Sequence, residues 1–326
     1  MNGELTLTVS YFGKLPSRGD FLKAVSNNHA LISMLDRWAG QGIELLSQDV
    51  AWKQLYDSGR PLHFAILSSR GSSAIGGYLL PSGDASGRRF PFMAAVSLQV
   101  PQPLAFISRS PLAFSRLWAR LERETIRAQQ AADPALALQE ISDSRANVNV
   151  LYEALNPAFQ DFLEMQTIAS LEQLVTTPAR AVSVRRIFLA LGALLRPVMS
   201  SRGARVGKGL LLPLPSDPLY RNLVSTLWLD LITGFLGRAD FELLAIIRQQ
   251  PEPVLALSFN GVQGRTLQAM FDARIAEQDF VPLYDPDWVE DQLNDAAMKK
   301  LSHYTSSDDL SLRTARNTFR ETFLGS

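Results

Sequence analysis

The chain has 326 residues, 46% of them hydrophobic and 20% charged, enough apolar material for about two ordinary domains or one large α/β unit and too much for a disordered chain. Lysine plus arginine number 32 and aspartate plus glutamate also 32, so there is no overall basic field of the kind nucleic-acid binding by counterion release requires. The absence of cysteine excludes disulfides, thiolate metal sites and cysteine nucleophiles, and fits a reducing compartment.

Residues 1–10 lack the basic-then-apolar order of a signal peptide. The most apolar run, 187–199, is interrupted by Arg196 and Pro197 and falls short of the roughly 20 residues a bilayer crossing needs. The expectation is a soluble, cytoplasmic protein with no direct membrane insertion. Leu5, Leu7, Val9 and Tyr11 alternate with Thr6, Thr8 and Ser10, which predicts one strand running into a loop at Gly13–Asp20. Leu31, Met34, Leu35, Trp38, Ile43 and Leu46 follow helical spacing, loosened in the middle by Gly40 and Gly42. A short helical piece carries Trp52 and Tyr56. Three apolar runs, 62–67, 74–80 and 92–100, are separated by Gly, Ser and Pro clusters too short for parallel crossovers, so they predict antiparallel strands.

The helix that follows places Phe114, Leu117, Trp118 and Leu121 opposite Arg116, Arg120, Arg123 and Arg127, a solvated basic face. Residues 131–147 are the best candidate for a join. Beyond them, 148–162 and 182–195 predict helices, 209–214 a strand, 220–235 a strongly apolar helix, 241–247 with 254–259 a hairpin, and Leu267, Met270 and Phe271 a further helix. Apolar content thins after Asp285 into a short helix around 288–301 and a mobile Ser/Asp-rich tail. The fold class expected is α/β, with a mixed or mainly antiparallel sheet, helices on both faces and a C-terminal helical extension. The division expected is 1–130 as an N-terminal α/β half, 131–278 as a second half packed on it or continuous with it, and 279–326 as the extension.

Signals of catalysis are weak. Gly203-Ala204-Arg205-Val206-Gly207-Lys208-Gly209 departs from a phosphate-binding loop in its glycine spacing, in having Gly209 where a magnesium-binding hydroxyl belongs, and in leading to a strand. His29, His63 and His303 are far apart with no carboxylate at ligand spacing, and no Gly-x-Ser-x-Gly elbow is present. Asp287, Glu290 and Asp291 read as a solvated acidic face. The expectation is no catalytic residue, no metal and no cofactor. The tryptophans fall on helical stripes, where core roles predominate, and Trp288, in the thinner C-terminal region, is the one most suspected of an interface role.

Two segments stand out: Tyr11-Phe12-Gly13-Lys14-Leu15-Pro16-Ser17-Arg18-Gly19-Asp20-Phe21 and Pro81-Ser82-Gly83-Asp84-Ala85-Ser86-Gly87-Arg88-Arg89-Phe90-Pro91. Both concentrate Gly, Pro and charge beside strand-like runs, where backbone shape is most constrained. The second could form an anion nest with Arg88 and Arg89 forking onto oxyanions. The favoured reading is structural: Asp84 caps its own turn, Gly87 supplies a positive φ, and one arginine pairs with a carboxylate such as Asp20. Arg18-Gly19-Asp20 spells an adhesion tripeptide, but a tight loop anchored by Phe21 and Leu22 is the better reading.

Together the two loops resemble the TagF family of type VI secretion-associated proteins, over about residues 9–100 and more loosely through Leu212-Pro213-Leu214-Pro215, the Trp228 helix and the strand from Leu255 to Gly261. The resemblance implies a non-enzymatic accessory regulator that represses secretion after translation by binding the system's forkhead-associated scaffold protein. It assigns to binding or to loop shape Gly13, Lys14, Pro16, Arg18, Gly19 and Asp20 in the first loop, and Ser82, Asp84, Gly87, Arg88, Arg89 and Pro91 in the second. A sensor of small molecules or nucleotides using the Asp84–Arg89 loop, and a structural component of the secretion apparatus, are the alternatives.

Overall fold

The computed structural model describes residues 3–24, 28–199 and 206–325. The chain opens with β1 (Glu4–Thr8), β2 (Ser10–Gly13) and β3 (Leu22–Lys23), then α1 (His29–Leu46) and α2 (Trp52–Asp57). A meander of β4 (Leu62–Ser68), β5 (Ser73–Leu80) and β6 (Phe92–Gln99) leads to α3 (Pro103–Gln130) and α4 (Ala135–Asp143). Next come β7 (Arg145–Asn149), α5 (Tyr152–Met165), α6 (Ile168–Val175), α7 (Val184–Leu195), β8 (Gly209–Pro213) and α8 (Pro218–Thr233). A hairpin of β9 (Glu242–Arg248) and β10 (Val254–Ser258), then α9 (Gly264–Phe271), α10 (Ala273–Asp279), β11 (Phe280–Pro282), α11 (Ala296–Thr305) and α12 (Leu312–Leu324), complete the chain.

Nine strands form one sheet in the order β11-β8-β10-β9-β4-β5-β6-β2-β3, antiparallel throughout except for the parallel pair β11–β8. The α/β class, the mainly antiparallel sheet and the helical C-terminus agree with the sequence reading. Strands from both halves of the chain share this sheet, because β4 pairs with β9 over a seven-residue register from Leu62↔Arg248 to Ser68↔Glu242. Period-two alternation in these strands sends side chains to two cores. On one face Ala65, Leu67, Tyr78 and Val96 meet α3, α5, α7, α8 and α12; on the other Phe64, Leu79, Met93 and Ile246 meet α1, α2 and α9.

The predicted first strand is two. The chain turns at the buried Val9, so that β1 pairs with β7 in a separate two-stranded sheet while β2 joins the main one. Unbroken alternation of apolar residues hides a corner of this kind, because both pieces have a buried side. Residues 148–149 accordingly finish β7, and α5 starts only at Tyr152. The centre of α1 is continuous, with Gly42 buried against Leu267 of α9. The larger correction concerns the expected mobile tail: Ser311 caps α12 through Thr314 N–H, and Phe319 is fully buried edge-on against Phe188 and Phe235. Arg185, Arg186 and Arg196 on and after α7 add ion pairs to Glu290, Asp285 and Asp295 of the same C-terminal region.

Candidate functional site

The two motif loops meet at the same end of the sheet. The first leaves β2 and returns as the edge strand β3; the second joins β5 to β6, and β6 is the neighbour of β2. Gly13 makes the close approach possible. It has φ +135°, and a Cβ placed there would lie 2.0 Å from the Pro91 carbonyl oxygen and 2.7 Å from Phe92 Cα, so only glycine lets the first loop pass this close to the backbone of the second. Phe12, Phe21 and Phe90 pack around this crossing, with Phe12 and Phe21 stacked and Phe90 edge-on to both.

Asp84 is the centre of the assembly. Its buried carboxylate accepts at Oδ1 from Ser86 N–H (3.0 Å), Ser86 Oγ (2.7 Å) and Arg88 N–H (3.0 Å). Oδ2 takes Lys14 Nζ from the first loop (2.8 Å) and Arg88 Nε (2.7 Å). Lys14 is itself buried, 4.6 Å above the Phe21 ring centroid. Lys14 above all, then Ser86 and Arg88, hold the Asp84 carboxyl far below the usual carboxylate range despite its burial. Two further bonds fasten the loops: Ala85 N–H donates to Arg18 O at 2.9 Å, and Arg88 Nη2 to Gly19 O at 2.6 Å. Gly87, at φ +79°, closes the turn with its N–H on Asp84 O.

Asp84 thus caps its own turn and Gly87 supplies the positive φ, as the sequence implied. The arginines do pair with carboxylates, but the partner is not Asp20: Arg88 bonds Asp84, Arg89 forks onto Asp57 at 2.8 and 2.6 Å, and Arg18 pairs with Asp133 at 2.6 Å. Asp20 sits on the exposed outer turn, whereas Asp84 and Asp57 lie within reach of the guanidinium groups. An anion nest at the second loop is also not what forms, because the N–H groups of Ser86 and Arg88 that would cradle an oxyanion already hold the Asp84 carboxylate. Pro91 and Gly13 form the crossing, and Ser82 anchors the far side, with Tyr56 Oη donating to its carbonyl (2.9 Å) and accepting from its N–H (3.0 Å). Pro16, Arg18, Gly19 and Asp20 remain exposed, as do residues 85–88.

Trp288 stands apart on a 3-10 turn (Asp287–Gln292), half-buried against the larger core. Residues 203–205 of the glycine-rich segment lie outside the described residues, and 207–208 lead into β8. His63 is buried, stacked on Trp118 and 3.2 Å from Glu122. Among the described residues no group of side chains is arranged to hold a metal ion, and no helix is long and apolar enough to cross a membrane. Sequence reasoning did not find Asp57 or Asp133, the long-range partners of Arg89 and Arg18. No local spacing signals pairs separated by 32 and 115 residues.

Residues 10–144, from the start of β2 through α4, match the TagF N-terminal domain, type VI secretion system-associated. Both loops lie inside the match. Among solved structures the chain is similar to PA0076 from Pseudomonas aeruginosa PAO1, with 15% identity over 82% of this chain and 94% of that one and a TM-score of 0.46. No curated protein matches the sequence.

Proposed function

We propose that this chain, a type VI secretion-associated protein carrying a TagF N-terminal domain, is a non-enzymatic regulator. It represses secretion after translation by binding the forkhead-associated scaffold protein of the system, in the cytoplasm and without nucleic acid. The observation that carries the reading is the Lys14–Asp84–Arg88 network. It spends Lys14, Asp84 and Arg88 on one another and holds residues 16–20 and 85–88 together in one largely exposed surface. A surface held from beneath by buried charge-assisted bonds is pre-organised, and pre-organisation lowers the entropy cost of docking on another protein. Within the network itself no base or nucleophile is left unpaired for an entering substrate, as a hydrolytic or transfer site requires.

The test is capture of the scaffold protein from the native bacterium by the tagged chain, together with secretion measured when the chain is overproduced. Recovery of the scaffold and reduced secretion are expected. Failure of both in a strain with a working apparatus removes the reading, and a protein found stoichiometric in purified assemblies is a component of the machine instead.

A further inference from the structure

Beside the exposed surface lies a cavity of about 280 Å³ between α2 and the second loop, lined by Tyr56, Asp57, Pro81, Ser82, Gly83, Gly87 and Arg89. Its polar groups are unevenly used. Gly83 and Arg89 form an antiparallel bridge flanked by Asp84 N–H to Arg88 O and Phe90 N–H to Ser82 O. That is the widely spaced kind of pair, in which the N–H groups of the two bridged residues face outward, and Gly83 N–H makes no backbone hydrogen bond among the described residues. The Ser82 hydroxyl, on a residue nine-tenths buried, has no partner either, and its proton can turn to whatever acceptor comes within reach. Arg89 gives Nε and Nη2 to Asp57, while Nη1 has only the Gly87 carbonyl at 3.5 Å.

Both Asp57 oxygens accept from Arg89, so the acidic side chain on the lining is already paired. Cations cluster around it. Lys53 and Arg89 sit 6.0 and 5.9 Å from the Trp52 ring centroid, and Lys14 and Arg88 lie beyond, sharing Asp84 as Arg89 pairs with Asp57. Gly87, exposed on the lining, has no atom within 4 Å of the place its Cβ would take, so the cavity is open on that side.

We propose that this cavity receives a carboxylate, presented by an acidic side chain of a protein partner and bonded by Ser82 Oγ, Gly83 N–H and Arg89 Nη1, with Trp52 beside it as an apolar flank. The proposal deepens the protein-binding reading and rests on it for the source of the carboxylate. A carboxylate suits these donors on one lining among clustered cations, and fixing it through a held arginine makes the bond directional.

The test uses the full chain. Amide resonances of Gly83 and Gly87 are followed while hexaglutamate peptide, acetate or inorganic phosphate is added, for the wild type, Ser82→Ala and Gly87→Asn. Hexaglutamate is expected to shift both resonances saturably. Ser82→Ala should bind about tenfold more weakly, the loss of one charge-assisted hydrogen bond, yet melt no lower than wild type, because the removed hydroxyl has no partner. Gly87→Asn, which tolerates the positive φ, should block the open side. Unshifted resonances, or equal binding by Ser82→Ala, overturn the proposal. Phosphate binding more tightly than hexaglutamate overturns the protein source in favour of a free anion. Capture of the scaffold by wild type and both variants alike removes the cavity and leaves the partner; Ser82-dependent hexaglutamate binding without scaffold capture does the reverse.

Discussion

Gly13→Ala isolates the reason the first motif begins with glycine. The new Cβ would sit 2.0 Å from a backbone oxygen and 2.9 Å from a backbone carbon of Pro91, where no flexible side chain can yield. Either the β2–β6 ladder, Ser10↔Ala95 to Phe12↔Met93, parts near the loop or the φ of +135° is abandoned. Strained backbone costs about 1–3 kcal/mol and overpacking about 1–3 kcal/mol, together about 2–6 kcal/mol. With an unfolding entropy of about 2.1 cal/mol/K per residue, 326 residues give up about 1.5 °C per kcal/mol, so the melting midpoint should fall by roughly 3–9 °C. Gly19 in the same motif is the control: nothing lies within 4 Å of its Cβ position, and Gly19→Ala should change the midpoint by less than about 1 °C. Differential scanning calorimetry of both variants decides the matter. A Gly13→Ala protein that melts with the wild type, or a Gly19→Ala protein that loses as much, would refute the close-approach argument.

Lys14→Ala should lower the melting midpoint more than Arg88→Ala, as the Lys14 side chain is 6% exposed and that of Arg88 62%; thermal melts rank the two. Asp84 stays charged in the fold well below the value near 3.9 at which an unfolded aspartate protonates. Its contribution is therefore complete above that value and is lost progressively as pH falls towards the depressed folded value, and Asp84→Asn should flatten that part of a stability profile measured by urea titration. Phe319→Ala, in the heart of α12, should cost about 3–5 kcal/mol, and a urea midpoint unchanged from wild type would show that α12 is not part of the core.

The central strands are legible because β4, β5 and β6 are short apolar runs carrying β-branched and aromatic residues and bounded by Gly, Ser and Pro. The corner at Val9 is not, since alternation continues through it. The last helix carried a usable signal in Leu312, Ala315, Phe319 and Phe323, spaced at three and four residues after the capping Ser311. It was masked by the charged residues between them, which lower mean hydropathy without disturbing the buried stripe. At the site, the turn chemistry of Asp84 and Gly87 is local and could be read from the sequence. The bond from Lys14 spans 70 residues, and pairing at that range is fixed by sheet order, which places β2 beside β6. That same order sends Asp20 to the outside and leaves Asp84 and Asp57 to take the arginines.

Isothermal titration of the purified chain into the forkhead-associated scaffold protein, for wild type and Asp20→Lys, bears most directly on the proposed role. Asp20 is exposed at the tip of the first loop and belongs to neither ion pair of the second, so its reversal should leave the fold intact. A saturable complex with wild type that weakens at least about tenfold in Asp20→Lys, at an unchanged melting midpoint, is expected. No heat of binding with wild type, or full affinity in the variant, would contradict partner recognition through this surface.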